Sequence, residues 1–167
     1  HIVGDVVTEY INRALGKRFI CFATDVETAG KMAEQFNNVG IRVAAVSAKT
    51  PTDVRNEYIR RFRAGELMGL VNVDLFGEGF DVPAVEVVIM ARPTASLAVF
   101  LQQFGRSLRI LAGKQFGLVI DHVSNWKRHG FPDKNHYWSL DRRDKRAKSL
   151  PDPDDIPLTA CTNCSRP

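Results

Sequence analysis

The segment FICFATDVETAGKMAEQFNNVGIRVAAV, residues 19–46, changes its hydrophobic period twice. Phe19–Ala23 is a short unbroken apolar run flanked by charge, the pattern of a strand buried on both faces. Thr24 or Asp25 then offers a helix cap, and Ala29, Met32, Ala33 and Phe36 recur at helical spacing. Asn38 to Gly40 end that helix, and Ile41–Val46 returns to strand character. The same alternation extends outward in both directions. Upstream, Val6, Tyr10, Ile11 and Leu15 mark one helical face, stopped by Gly16. Downstream, Thr50 is expected to cap a helix with Pro51 at its first position, carrying Val54, Tyr58, Ile59 and Phe62. Strands are expected at Met68–Val73, Val85–Met90 and Phe116–Asp121, with a helix from about Ser96 to Leu111. Repeated βα units on short loops give an α/β fold, a mainly parallel sheet covered by helices on both faces.

With 167 residues the chain is one ordinary domain with an appendage. Hydrophobic residues at 44% and charged residues at 25% exclude wholesale disorder. No apolar run approaches the ~20 residues that span a bilayer, and no signal peptide opens the chain, so no membrane partner is expected. Three cysteines make no disulfide framework, and the pattern fits a reducing compartment, hence the cytoplasm. A monomer is expected. The first residue is not Met, and a CxxC, Cys161 and Cys164, stands three residues from the end, so the sequence reads as a piece of something longer. The net charge of +4 is unevenly spread: residues 126–148 carry eight basic and three acidic side chains, among Trp126, Tyr137 and Trp138. Such a segment suits stacking on a single strand; a solvated extension whose aromatics pack on the domain explains it equally well. The expected divisions are a domain at 1–125, a basic aromatic extension at 126–150, and a linker with the start of a cysteine-rich element at 151–167.

In parallel sheets ligands bind outside the carboxyl ends of the strands, which directs attention to Thr24, Ser47–Thr50, Asp74–Asp81, Arg92–Thr94 and Asp121–Ser124. No GxxxxGK[ST] phosphate loop occurs, and Gly77-Glu-Gly79 is too short for a dinucleotide fingerprint. Two other motifs are present. Gln102-Gln-Phe-Gly-Arg-Ser-Leu-Arg109 has the form QxxGRxxR, and on a continuous helix Gln102, Arg106 and Arg109 would share one face. Paired guanidiniums suit charge developing on a transferring phosphoryl group; an ordinary solvated face is the plainer explanation. Val71-Asn-Val-Asp-Leu-Phe-Gly-Glu-Gly-Phe-Asp-Val-Pro83 ends a strand in a loop bearing carboxylates, or is simply a glycine turn with a capping Asp.

Taken in order, these motifs resemble the second, C-terminal RecA-like domain of superfamily 2 DEAD/DEAH-type helicases of bacterial or phage type, over roughly residues 1–125. Phe19–Thr24 is similar to motif IV, Val71–Pro83 to motif V and Gln102–Arg109 to motif VI. Ile120–Asn125 and Arg128–Pro132 resemble segments in the group that contains restriction and repair translocases. The resemblance implies a RecA-like three-layer α/β/α fold. It assigns Arg106 and Arg109 to the ATP γ-phosphate, with Arg109 the stronger candidate for an arginine finger. It assigns Gln102, Gly79, Asp81 and Glu78 to nucleotide binding, and Thr24, Lys49 and Thr50 to nucleic-acid phosphates. The last two also stand where a helix amino terminus would favour a phosphate.

The resemblance further implies ATP and Mg²⁺, bound mainly by a first RecA-like domain that this sequence lacks, and DNA as partner, with RNA as the alternative. No ATPase activity and no cofactor are expected of the chain by itself. Val73 departs from the Thr that many members place before the motif V Asp. Cys161 and Cys164 resemble the first half of a zinc ribbon, and with only two thiolates no metal is expected here. Two other readings stand beside the helicase one. The first is a nucleic-acid-binding or regulatory module that kept the fold without catalysis. The second is a small-molecule enzyme with a preformed pocket on a flavodoxin-like sheet.

Overall fold

The computed structural model describes residues 2–73 and 85–134. Their helices and strands alternate as α1 (Ile2–Ala14), β1 (Phe19–Phe22), α2 (Val26–Asn38), β2 (Val43–Ser47), α3 (Thr52–Arg63), β3 (Gly69–Val73), β4 (Val87–Met90), α4 (Leu97–Gly105), β5 (Leu118–Asp121) and α5 (Asn125–His129). A single 3-10 turn, Arg106–Leu108, follows α4. The chain divides into two compact units, His1–Pro132 and Asp133–Pro167. All the elements named above lie in the first. Of the second, only Asp133 and Lys134 are among the described residues.

The strands form one five-stranded sheet of order β2-β3-β1-β4-β5, parallel throughout. β1 is its centre, pairing Phe19 with Gly69 on one side and Val87 on the other. All four β1 side chains are buried, as their unbroken apolar run predicts. Alternate residues serve opposite layers. Phe19, Cys21, Val71, Val87 and Ile89 join Tyr10, Met32 and Phe36 from α1 and α2 in one core. Ile20, Phe22, Leu70, Val88 and Met90 join Phe62 and Phe100 from α3 and α4 in the other. The result is the three-layer α/β/α sandwich of a RecA-like domain.

Close backbone approach is required where Tyr10, Phe19 and Phe36 meet, with ring centroids 4.5 to 5.5 Å apart. The Phe19 ring lies directly over Gly69, where a Cβ would stand 2.2 Å from Phe19 Cζ.

Two local expectations need correction. Thr50 does not cap α3: Pro51 holds that position without a side-chain hydrogen bond. The Thr50 hydroxyl instead accepts from Ser47 N at 2.9 Å, closing the turn after β2. Nor does α4 continue to Leu111. It ends at Gly105, and Arg109 is extended at φ −60°, ψ 139°. Low helix propensity at Gly105 and Ser107 contributes, and the Ser107 hydroxyl donates to Phe104 O at 2.7 Å. Lys114 binds carbonyls of the segment that follows, as described below.

Candidate nucleotide and nucleic-acid sites

Because every strand runs the same way, the loops after β1, β2, β4 and β5 emerge at one edge of the sheet. Thr24 sits there, exposed, its hydroxyl donating to Asp25 Oδ2 at 2.7 Å. Asp25 caps α2 by accepting from Thr28 N at 2.7 Å. These hydrogen bonds hold its carboxyl down at a pKa of about 2. A phosphate approaching Thr24 therefore meets a fixed negative charge. Lys49 and Thr50 share this edge. Lys49 is exposed, and with no side-chain cap on α3 its first amides have no partner within the helix. Arg55 reaches back to Thr50 O at 3.0 Å, so two basic side chains flank that turn.

Arg106 and Arg109 lie at the opposite edge. α4 begins after β4 with Ser96 as its cap, the hydroxyl accepting from Val99 N at 3.3 Å. It then runs back along the sheet, delivering the Arg106–Leu108 turn to the amino ends of β4 and β5. Two contacts fix that location. Lys114 Nζ donates to Ser107 O and also, at 2.9 Å, to Val85 O just before β4. Gly117, the residue before β5, comes so close that a Cβ there would stand 2.1 Å from Ser107 O. The structure thus brings Arg106 and Arg109 together on one short segment, Arg106 half-buried and Arg109 exposed, and separates them from Thr24, Lys49 and Thr50. Because α4 stops at Gly105, the shared helical face expected for Gln102, Arg106 and Arg109 is not formed. Glu78, Gly79 and Asp81 lie outside the described residues, as do Cys161 and Cys164.

Within α4, Gln102 is exposed and Gln103 is fully buried, both of its amide atoms without a hydrogen-bond partner among the described residues. Asn72 is also buried, its Oδ1 similarly unmatched. His122, after β5, is half-buried, and burial pushes its pKa below the usual histidine range.

Motif reasoning on the sequence missed two side chains that fix the backbone around these segments. One is Lys114. The other is Asn125, whose amide accepts from Thr94 N and donates to Arg92 O, each at 3.0 Å, fixing the loop between β4 and α4. His129 completes that clamp: its Nε2 donates to Thr94 O at 2.8 Å, and its ring stacks on Phe100 of α4 with centroids 5.1 Å apart. The available signal for Asn125 and His129 was the resemblance of Ile120–Asn125 and Arg128–Pro132 to helicase segments. Trp126 stacks on Phe131 at 5.5 Å, with Lys127 Nζ 5.5 Å from the Trp126 ring. In the described part of the basic segment, aromatics therefore pack on their neighbours. Among the described residues no group of three or more His, Cys, Asp or Glu side chains could hold a metal ion, and no helix is long and apolar enough to cross a membrane.

Residues 3–111 match the family model for the helicase conserved C-terminal domain. A 51.5 kDa protein of a Lactococcus phage is 46% identical over 82% of this chain and 30% of its own length. The putative ATP-dependent helicase IRC3 of Saccharomyces cerevisiae is 30% identical over 64% of the chain and 16% of its own length. This chain therefore spans less than a third of those relatives. Among solved structures, a fragment of a putative HsdR subunit of a type I restriction enzyme from Vibrio vulnificus superposes with a TM-score of 0.67 at 25% identity, covering 79% of this chain and 28% of that one. With its parallel sheet, its QxxGRxxR segment and this match over most of the domain, the chain belongs to the helicase C-terminal domain family of superfamily 2.

Proposed function

We propose that this domain is the second half of an ATP-dependent nucleic-acid motor, supplying Arg106 and Arg109 to an ATP held by a separate phosphate-loop domain. One observation carries the reading. The two arginines sit at the amino edge of the sheet, away from the carboxyl-edge crevice where an α/β domain of this kind binds its own ligand. Charge placed there serves a ligand presented by another body, which is the arrangement of an arginine finger acting in trans. The same separation weighs against a small-molecule enzyme working in its own crevice.

In this mechanism ATP draws the two domains together. Arg109, on extended backbone, and Arg106 neutralise charge on the γ-phosphoryl group in the transition state. Gln102, Glu78, Gly79 and Asp81 contact the nucleotide. Lys49 and Thr50 hold backbone phosphates of the strand at the carboxyl edge, Thr24 lies at the same edge with its hydroxyl engaged by Asp25, and opening after hydrolysis moves that strand. Mg²⁺ is bound by the partner domain, and the chain alone hydrolyses no ATP. DNA is the favoured strand, because the segments around Asn125 and Arg128 resemble those of restriction and repair translocases. The protein works as a monomer in the cytoplasm, and residues 126–150 form a basic extension of the motor domain.

The test uses the protein carrying this domain together with its phosphate-loop domain. Nucleic-acid-stimulated ATP hydrolysis is measured with single-stranded DNA and with RNA of the same sequence. Arg109→Ala is expected to lower kcat by roughly 10³-fold while ATP still binds. An unchanged kcat overturns the arginine assignment, and stimulation by RNA alone overturns the choice of DNA.

A further inference from the structure

Lys114 lies outside both motifs, yet it touches the backbone of the arginine segment more closely than any other side chain described above. Its ammonium donates to three carbonyls: Ser107 O, Arg109 O at 2.9 Å and Val85 O at 2.9 Å. An ammonium has three protons, so its donor capacity is fully used. In a continuing α-helix Ser107 O would accept from Leu111 N, and Arg109 O from Gly113 N. Lys114 takes both acceptors, and the backbone leaves helical geometry at Arg109.

The surrounding loop is shaped to deliver that ammonium. Gly113 adopts φ +79°, and Lys114 N donates to Leu111 O at 3.1 Å, turning the chain back on itself. Gly117 then admits the Ser107 carbonyl where a Cβ would clash. A side chain from one end of the loop and a glycine from the other thus grip the same carbonyl, between the two arginines.

We propose that Lys114 is the positioning residue of the arginine pair. By tying Ser107 and Arg109 to Val85, two residues before β4, it sets where both guanidiniums stand relative to a nucleotide on the partner domain. The inference rests on the proposed trans role of Arg106 and Arg109. It adds that their geometry is held by a cation seated on their own backbone rather than by helix continuity.

Four forms of the protein carrying both motor domains test this: Lys114→Met, Lys114→Arg, Arg109→Ala and the double variant Lys114→Met/Arg109→Ala. Lys114→Met is expected to lower kcat about tenfold or more with KM for ATP changed less than twofold, because the arginines act in the transition state. Lys114→Arg, which keeps a cation able to reach two carbonyls, is expected to recover at least half of the lost rate. In the double variant Lys114→Met is expected to add nothing to the Arg109→Ala defect. Hydrogen exchange in the 106–113 segment is expected to rise in Lys114→Met while β1 and β3 stay protected. Should Lys114→Met fail to fold, Lys114→Gln, with an uncharged donor, is expected to show an intermediate kcat.

Arg109→Ala with full activity overturns the arginine assignment itself. Arg109→Ala impaired, with Lys114→Met or Lys114→Gln at wild-type kcat, overturns the Lys114 proposal alone. Defects that multiply in the double variant do the same.

Discussion

At the scale of single residues, the molecule depends on side chains that are missing as much as on those present. Gly69 faces the Phe19 ring inside the aromatic group of Tyr10, Phe19 and Phe36, all fully buried. Packing there is too dense for Phe19 to swing aside. Gly69→Ala is expected to cost about 1–3 kcal/mol, read as a lower urea midpoint with an unchanged slope. Gly117 is constrained by a backbone carbonyl instead, so substitution there displaces the arginine segment rather than the core. Neither requirement was visible in the sequence, because each depends on a contact that only the folded chain makes, Gly69 with Phe19 and Gly117 with Ser107. What was visible at this scale was chemical type: the guanidiniums of Arg106 and Arg109, and the thiol of Cys21 in an apolar run, which the structure buries completely.

Between elements, the contrast between α2 and α4 shows what local pattern can determine. α2 was read nearly residue for residue, since its Asp25 cap, its apolar face and its stop before Gly40 are all written within one stretch of chain. The strands were legible for the same reason, with β2, β4 and β5 each starting two residues later than expected. α4 was read too long: the chain leaves helical geometry by Arg109, beside carbonyls that Lys114 binds, and that contact has no local signature. That error mattered, for it placed Arg106 and Arg109 on one helical face. The α4–α5 connection makes a second prediction. Asn125→Ala leaves Thr94 N and Arg92 O without their partner in a buried setting. It is expected to destabilise the domain by about 2 kcal/mol, measured by urea unfolding. Asn125→Asp keeps the acceptor for Thr94 N but buries a carboxylate against Arg92 O, and is expected to cost at least as much.

For the molecule as a whole, sheet order was not legible. Five similarly apolar strands carry no mark of their neighbours, and the placement of β1 between β3 and β4 is a tertiary fact. With it came the separation of the candidate sites onto opposite edges, which no motif spacing expresses. The buried core also sets the alkaline limit of stability. Desolvation holds the Tyr10 phenol and the Cys21 thiol protonated up to about pH 12, against ordinary values of 10.0 and 9.0. Over that range the unfolded chain gives up these protons first, so stability is fully present below about pH 9 and is lost as pH rises toward 12. The thermal midpoint is expected to fall across that window. Tyr10→Phe, which lacks the titrating hydroxyl, is expected to show a shallower decline above pH 10.

The central position of β1 has one more consequence, for the order of assembly during synthesis. β1 and β2 leave the ribosome before β3, but they are not neighbours in the sheet; β3 lies between them. Neither finds a hydrogen-bonding partner until Gly69–Val73 has emerged and inserted between two strands already made. The nascent domain therefore passes through a stage in which the apolar FICF and VAAVS segments are both complete and both unpaired. During that interval α1 and α2 on one face and α3 on the other, all made before β3, can close over these strands and limit self-association.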